Sequence, residues 1–405
     1  MKTRTANHIT AKLTRAAAAA TLLLAAVGCN GGEDKFTSVG LDDSYAVVRM
    51  QKLKLATGAP GDSYMWRAIS PDGTSTLLSD SASCIFVAAT VGTYTIQLDI
   101  TDGTTTMQET SRVAVIAEEI EYSGTISAVY DYLPAPGQFI NTMPEYEEGD
   151  TRADMNAKAL ASLQAGGLVS LGACGGYMIF GFDHTVANVT GAKDFALYGN
   201  AVLNTNAHGE VTGGSAEPGA VYVSLDENGN GLPDDRWYEL AGSEHGKDGT
   251  LRGYTITYRR PDDNKTPVAG VAGVTDCEYI AWSDNAGGSG YVEKNTFHPQ
   301  NYYPQWINAD ELTYTVTRLP ANGTDVSGNG SNYVLKPYDW GYADNHPNSD
   351  KDKNSFDISW AIDEEGNSVY LPGVDFIKVS TAVIQSCGWI GETSTEISGA
   401  EDLHL

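Results

Sequence analysis

Basic side chains are scarce in this sequence, cysteines are few, and long apolar runs are almost absent. Its 405 residues include 25 Lys and Arg against 52 Asp and Glu, which gives a formal net charge of −27. So acidic a chain is a poor partner for nucleic-acid backbones and anionic membrane surfaces, whereas cations and neutral ligands remain open to it. Hydrophobic residues still make up 41% of the chain, so folded cores are expected rather than general disorder.

Glycine and tyrosine are abundant instead. The chain has 44 Gly, and its 22 Tyr outnumber its 9 Phe. This composition is typical of many short strands joined by turns, and it lacks the Leu, Lys, Glu and Arg bias of helical proteins. The length predicts two or three domains.

The one long apolar run lies at the N-terminus. It extends from Ala16 to Gly28, follows a basic segment that contains Arg4 and Arg15, and ends directly before Cys29. This order predicts an export signal, and the run is too short to span a bilayer as a mature helix. The small residues before Cys29 resemble a bacterial lipobox, which implies cleavage after residue 28 and a diacylglycerol on the Cys29 thiol.

Removal of this signal peptide, residues 1–28, takes away four basic residues and no acidic one, which leaves a formal charge of −31. The next segment, residues 29–39, is predicted to be a tether. Its acidic pair Glu33-Asp34 resembles the surface-export signal of Bacteroidetes lipoproteins, and a merely solvated tether is the alternative. Apart from the lipid, no membrane attachment is expected.

Residues 40–118 carry short alternating segments separated by turns, which predicts a small β-sandwich. The most regular segment runs from Val91 to an Asp102-Gly103 turn. Together with the pair Tyr64 and Trp66, it resembles a PKD-like domain, an immunoglobulin-like sandwich of bacterial surface proteins. The resemblance implies a core position for Trp66 and a spacer or adhesion role for the domain.

Residues 120–405 are predicted to form a larger domain of about 8–12 strands, a number that suits a jelly roll or a similar two-sheet sandwich. One helix is expected to begin at Asp150 or Thr151 and to stop before Gly166. Segments such as 172–178, 217–224, 340–345 and 373–379 resemble the jelly-roll domain of Bacteroidetes cell-surface proteins. The predicted fold class is therefore all-β, a small Ig-like (PKD-like) sandwich followed by a larger jelly-roll-like sandwich.

A loop at residues 226–235 follows the pattern D-x-N-x-N-G-x-x-D, in which short oxygen-bearing side chains alternate as calcium sites require. Trp237 stands where a bidentate Glu is usual. The predicted calcium ligands are Asp226, Asn228, Asn230, Asp234 and Glu239. A solvated Asn-Gly hairpin turn is the alternative.

Further carboxylates stand at predicted strand edges. The jelly-roll resemblance implies that they hold a structural calcium or bind backbone amides, and they are Asp183, Asp194, Glu217, Asp357 and Asp375. The acidic segment 338–353, which includes Asp344, is interpreted as an exposed loop.

Aromatic residues cluster in three polar, proline- or glycine-rich segments, and five ring side chains fall within residues 297–306 alone. Exposed rings in loops are typical stacking platforms for sugars and other flat ligands. The alternative is that the rings cover a loop-rich edge of the sandwich. The predicted ligand-binding residues are Trp282, Phe297, Tyr302, Tyr303, Trp306, Tyr338 and Trp340.

Neither the cysteines nor a catalytic motif points to a specific chemistry. Cys84 and Cys174 stand in apolar strand-like runs and are expected to be buried free thiols, while pairing among Cys174, Cys277 and Cys387 stays open. The sequence contains no zinc-protease, nucleophile-elbow or P-loop pattern. A binding protein is therefore favoured over an enzyme.

Together with the resemblances, these patterns imply an outer-membrane lipoprotein that faces the cell exterior. It would bind a glycan or a corrinoid-type nutrient beside a TonB-dependent transporter. A glycan hydrolase with a carboxylate pair, or a structural adhesion or assembly protein, are the alternatives.

Overall fold

Strands dominate residues 39–405, the part of the chain that this computed structural model describes. The predicted signal peptide, Cys29 and the tether through residue 38 lie outside the described residues. The all-β prediction is confirmed, since the described residues contain a single α-helix among 28 strands. Within this part of the chain, no helix combines the length and apolarity needed to cross a membrane.

The first seven strands fold into a five-stranded sheet of order β1-β7-β6-β3-β4 and a separate β2-β5 pair, with β1 parallel to β7. Trp66 is fully buried, as the PKD-like resemblance implies, and its indole N–H donates to the Ser81 carbonyl over 2.9 Å. The strands are β1 (Ser44–Val48), β2 (Leu53–Ala56), β3 (Ser63–Ile69), β4 (Ser75–Ser79), β5 (Ser83–Phe86), β6 (Gly92–Asp102) and β7 (Thr105–Ile116).

The larger part of the chain contains a six-stranded sheet of order β24-β16-β15-β26-β10-β8, a four-stranded sheet of order β19-β18-β17-β20 and several short sheets. Its elements are β8 (Ala128–Leu133), α1 (Arg152–Gln164), β9 (Val169–Ser170), β10 (Tyr177–Gly181), β11 (Val186–Ala187), β12 (Phe195–Tyr198), β13 (Leu203–Thr205), β14 (Val211–Gly214), β15 (Gly219–Ser224), β16 (Trp237–Leu240), β17 (Leu251–Arg259), β18 (Val274–Asp284), β19 (Ser289–Asn295), β20 (Glu311–Arg318), β21 (Gly323–Asp325), β22 (Tyr333–Leu335), β23 (Ser355–Phe356), β24 (Ala361–Ile362), β25 (Gly373–Val374), β26 (Phe376–Thr381), β27 (Glu396–Ile397) and β28 (Gly399–Asp402), with 3-10 turns at Ile358–Trp360 and Gly388–Ile390.

Helix α1 packs on one face of the six-stranded sheet, where its buried side Met155, Ala159 and Leu163 joins an aliphatic core. Thr151 caps it as predicted. The Thr151 hydroxyl accepts a hydrogen bond from the Asp154 amide, and the Asp154 carboxylate accepts one from the Thr151 amide in return. Such reciprocal caps satisfy two backbone donors that would otherwise lack partners at the helix start.

The four-stranded sheet covers the opposite face of the six-stranded sheet through a core rich in tyrosine. Tyr258 donates its hydroxyl hydrogen to the Cys174 carbonyl and Tyr314 to the Pro134 carbonyl, each over 2.8 Å. A buried Tyr hydroxyl needs such a partner, because an unpaired one costs free energy. This core, in which ring hydroxyls bond to backbone carbonyls, accounts for part of the excess of Tyr over Phe in the composition.

All four cysteines of the described residues are free thiols. Cys84, Cys174 and Cys387 are buried, and burial raises the pKa of the Cys84 thiol to about 12. The expectation of buried thiols at Cys84 and Cys174 is confirmed. Cys277, which is half-buried, is likewise unpaired.

The sandwich and the larger domain are in contact, since residues 39–405 form one compact unit. Lys52, just before β2, reaches across to two carboxylates of the larger domain. Its ammonium lies 2.7 Å from the Asp375 carboxylate and 3.2 Å from that of Asp226, and it also donates to the Asp226 carbonyl over 2.8 Å. All three side chains are largely buried. One cation therefore neutralises two acids where the two parts of the chain meet.

We expect Lys52→Met to lower the free energy of unfolding by about 2–4 kcal/mol, because it leaves two largely buried carboxylates without their cation. Urea denaturation followed by tryptophan fluorescence measures this loss. Lys54→Met is the matched control, because Lys54 is exposed and donates only to the Glu227 carbonyl. Equal losses in the two variants would contradict this role of the Lys52 ion pairs.

His184 holds the segment after the sandwich to the C-terminus. Its Nδ1 lies 2.8 Å from the Asp183 carboxylate and its Nε2 2.6 Å from that of Asp402, while the ring packs against Tyr122 and Phe182. Burial opposes protonation of this imidazole, but the hydrogen bonds to Asp402 and Asp183 outweigh it and raise the His184 pKa. The folded protein therefore favours the charged ring.

The His184 contribution to stability should consequently be complete below the unfolded pKa of about 6.5 and should fade as the pH rises through the higher folded value. Unfolding free energies measured between about pH 5.5 and 9 for the wild type and His184→Gln test this, since the difference between the two should shrink with increasing pH. A difference that stays constant or grows over that range would refute the expectation.

Candidate functional site

A row of polar and aromatic side chains crosses the six-stranded sheet. Strand pairing places Glu239 of β16 opposite Tyr222 of β15, and Tyr222 opposite Lys378 of β26. The row continues from Lys378 to Ile179 of β10, and from Ile179 to Asp131 of β8. Directly paired residues point to the same face of a sheet. The alternate residues of these strands point into the aliphatic core on the other face, so the row lies on the side of the four-stranded sheet.

One end of this row opens into a cleft of about 560 Å³ between the two sheets. We call it the inter-sheet cleft. Its volume falls in the ordinary range for small-molecule sites. The cleft is lined by Tyr222, Trp237, Glu239, Arg252, Gly253, Thr315, Val316, Thr317, Ile362, Asp363, Glu364 and Lys378.

Lys378 is the unusual cation of the inter-sheet cleft. Its ammonium lies 4.4 Å from the centre of the Tyr177 ring and 5.4 Å from that of Tyr222, and no hydrogen-bond acceptor or carboxylate among the described residues pairs with it. Burial lowers the pKa of Lys378, while the charge of Asp131 opposes this effect. An ammonium without an oxygen partner is ready to bind a ligand oxygen that enters the cleft.

Glu239 is the central acceptor of the cleft. One carboxylate oxygen accepts a hydrogen bond from the Thr317 hydroxyl over 2.7 Å and lies 3.9 Å from the Arg252 Nε. The other lies 3.7 Å from the His245 Nδ1, which is buried and has no hydrogen-bond partner. The cleft therefore offers acceptor and donor groups at fixed positions on two packed sheets.

Trp237 completes the inter-sheet cleft with a half-buried indole ring two residues before Glu239, on the same side of β16. A ring beside directed donors and acceptors can hold a ligand that has both an apolar face and hydrogen-bonding groups. Sequence reasoning missed Tyr222, Trp237, Arg252 and Lys378. The available signal was the alternation of Tyr222 and Lys378 with aliphatic residues in their strands.

A second cavity, of about 290 Å³, lies where the sandwich meets residues 188–190 and Tyr370. Its walls are mainly apolar, with Phe86 and Tyr94 among them. Asp72 is its one charged lining residue, and that carboxylate already accepts hydrogen bonds within its own turn. This cavity lacks the convergent polar groups of the inter-sheet cleft.

The predicted calcium loop is held by its own hydrogen bonds. The Asp226 carboxylate accepts from the amides of Gly229, Asn230 and Gly231 over 2.7–3.2 Å, in addition to its contact with Lys52. Protein donors therefore occupy both of its oxygens. This is the arrangement of a tight polar turn.

The other predicted calcium ligands are divided between two places. Asn228 and Asn230 point their amide groups at the exposed Asp234 carboxylate, with N···O distances of 3.0–3.2 Å. Glu239 lies instead in the inter-sheet cleft. The structure thus does not bring the five residues into one ligand set, because β16 carries Glu239 away from the loop.

The predicted aromatic platform has a mixed outcome. Tyr302 and Tyr303 are 0% exposed and pack in the tyrosine-rich core, so neither ring offers a face to a ligand. Trp306 stacks on Tyr132 at 5.7 Å and packs against the aliphatic core. The interpretation of residues 297–306 as an exposed loop was wrong for these rings, because they pack against the two hydrophobic cores.

The remaining predicted rings lie nearer the surface. Trp282 and Tyr338 are half-buried against the tyrosine-rich core, and Trp340 packs on Trp360 at 4.6 Å. Phe297 is 63% exposed and meets the exposed Trp389 edge to face at 5.6 Å. This pair is the one predicted aromatic position that presents a free ring surface together with a neighbour.

Three carboxylates converge elsewhere, and sequence reasoning did not group them. The oxygens of Glu217, Asp344 and Glu396 lie within 4.8 Å of one another. Burial raises the Asp344 pKa to about 7, and burial together with the Asp344 charge raises that of Glu396 to about 8. Asp344 is only 1% exposed, so its placement in an exposed acidic loop was wrong.

The other carboxylates predicted at strand edges bind protein groups. Asp194 accepts from the backbone amides of Val189 and Ile358, and Asp357 caps a 3-10 turn through the Ser359 amide. Of the two predicted roles, amide binding is therefore the one seen at these two positions.

Comparison with protein-family models and with curated proteins found no match to this chain.

We expect Trp306→Ala to reduce the free energy of unfolding by about 2–3 kcal/mol, because the ring packs on Tyr132 and the aliphatic core. Phe297→Ala is the matched control, since its exposed ring should cost about 0.5 kcal/mol or less. Urea denaturation of both variants measures the difference. A Trp306 variant as stable as the wild type would show that this ring is not part of the core.

Proposed function

We propose that this protein is a lipid-anchored outer-membrane protein, facing the cell exterior, that binds a saccharide in the inter-sheet cleft beside a TonB-dependent transporter. The export signal and the lipobox-like Cys29 support the location. The observation that carries the binding proposal is the cleft itself. It combines the Trp237 ring, the Glu239 carboxylate and the unpaired Lys378 ammonium on two rigid sheets.

A saccharide fits these groups better than the other nutrient class that the sequence suggests. Sugar hydroxyls both donate and accept, so they can bond to Glu239 and to Lys378 or Arg252 at the same time. One apolar sugar face can rest on Trp237. A corrinoid with its nucleotide loop is large for a cleft of about 560 Å³.

The cations of the cleft also matter for selectivity. A mature chain with a formal charge of −31 repels anionic ligands at long range, and salt screens this repulsion beyond about 10 Å. Within the cleft, Lys378 and Arg252 favour electron-rich oxygens at short range. Neutral sugars and sugars with one carboxylate are both compatible with the long-range repulsion and the short-range attraction. A glycan array distinguishes these two classes of ligand.

The test is a binding screen of the purified full chain against a glycan array and corrinoids, followed by calorimetry on the best ligand. We expect Trp237→Ala and Lys378→Met each to weaken binding by about 10–100-fold, since each removes a contact worth about 1.5–3 kcal/mol. Phe297→Ala is the matched control and should bind as the wild type does.

Each other outcome rejects this proposal in a different way. Release of reducing sugar that a Glu239→Gln variant abolishes would identify a hydrolase instead. Loss of binding in Phe297→Ala, with cleft variants unaffected, would move the site to the exposed Phe297–Trp389 pair. Failure to bind any glycan, combined with tight association with a transporter, would identify an assembly or adhesion protein.

A further inference from the structure

Glu217, Asp344 and Glu396 come from three distant segments, and we call them the carboxylate triad. Glu217 precedes β15, Asp344 follows the Trp340 segment, and Glu396 begins β27. Each offers an oxygen within 4.8 Å of the others, and no Lys, Arg or His among the described residues forms an ion pair with any of them. Three acids without a cation in a protein interior are costly unless something neutralises them.

Backbone amides donate hydrogen bonds to two members of the carboxylate triad, Asp344 and Glu217. The Asp344 carboxylate accepts from the amides of Asn200, Ala201 and Glu396 over 2.7–2.9 Å. Glu217 accepts from the Ser394 amide over 3.0 Å through one oxygen. These donors leave the second Glu217 oxygen and further lone pairs on Asp344 available to another group.

Glu396 differs from Asp344 and Glu217 in its hydrogen bonding. Its side chain is 0% exposed, and neither carboxylate oxygen has a hydrogen-bond partner. The Ser170 and Ser394 hydroxyls lie nearby and hydrogen-bond to each other over 2.7 Å, so only one of their two hydrogens remains to turn toward Glu396. A wholly buried carboxylate that has at most one such donor for its two oxygens, and that faces two other carboxylates, is an arrangement that a bound cation would stabilise.

The backbone around the triad is firmly placed. Asp344 has a φ of 51°, a left-handed conformation that residues other than Gly seldom adopt. Gly199 packs so close to it that a Cβ there would lie 2.2 Å from the Asp344 carboxylate. The segment that leads into β27, residues 392–396, is buried and polar throughout. Strain and buried polar groups of this kind concentrate at functional sites.

We propose that the carboxylate triad binds one divalent cation of the hard, oxygen-preferring kind, most simply Ca²⁺. Its donor set is all carboxylate, with no His or Cys, and such sets select Ca²⁺, Mg²⁺ or Mn²⁺ over zinc. Glu217 is partly exposed, which provides an entry from solvent. The cation gives the two Glu396 oxygens their missing partner and links β15, the Asp344 loop and β27.

The occupant that competes with a metal ion is the proton. Carboxylates in such proximity can share protons instead, as acid pairs in other interiors do. The two cases differ in stoichiometry and in their response to calcium. A metal site takes up one ion per chain and is emptied by a chelator, whereas a protonated cluster does neither.

The test uses the purified full chain, treated with chelator and then titrated with CaCl₂ by calorimetry up to about 1 mM, the weak end of extracellular calcium modules. We expect one ion per chain and a melting temperature that increases with calcium concentration. Glu396→Gln should weaken calcium binding by about 100-fold or more. Asp234→Asn, in the loop at residues 226–235, is the matched control and should leave binding unchanged.

A second variant covers the case in which Glu396→Gln does not fold. Glu217→Gln changes the partly exposed member, and it should also weaken calcium binding while the far-ultraviolet circular dichroism stays native. The proposal is overturned if the wild type binds no calcium or magnesium in this range. It is equally overturned if Asp234→Asn removes the binding and Glu217→Gln leaves it intact.

Discussion

Double burial of the six-stranded sheet is the constraint on which the rest of the structure depends. One face packs on helix α1 and an aliphatic core, and the other on a four-stranded sheet through tyrosines. Every polar side chain on the second face must therefore find a partner inside the protein. On this face Lys378 lies over the rings of Tyr177 and Tyr222. From the four-stranded sheet, the Tyr258 and Tyr314 hydroxyls donate to backbone carbonyls. Where the two sheets separate, the same face becomes the inter-sheet cleft.

The acidic side chains follow the same requirement that buried polar groups have partners. Many acids lie in solvent or bind a backbone amide, as Asp357 does, while the buried Asp194 binds two amides and the His404 imidazole. Others meet cations at junctions, as Asp226 and Asp375 meet Lys52. The carboxylate triad is the place where buried acids gather without a cation, and for that reason it stands out electrostatically from the other acidic groups described.

The sandwich and the larger domain form one unit rather than two independent modules. Met50 is fully buried beside Val87 and Ala187, so the apolar contact between the two parts continues the ionic one made by Lys52. The sandwich is thus held against the larger domain by both apolar and ionic contacts.

The sequence by itself determined the all-β class and limited the helix start to Asp150 or Thr151, because period-two alternation, caps and turns are local signals. The core position of Trp66 followed from the PKD-like resemblance. For the loop at Asp226 the sequence favoured a calcium site and gave a polar turn, which the Asx-Gly spacing forms locally, as the alternative. It predicted neither the burial of Tyr302 nor the cleft, which depend on how sheets stack. The tertiary structure alone decided which carboxylates converge, because Glu217, Asp344 and Glu396 meet only through strand pairings between segments far apart in the chain.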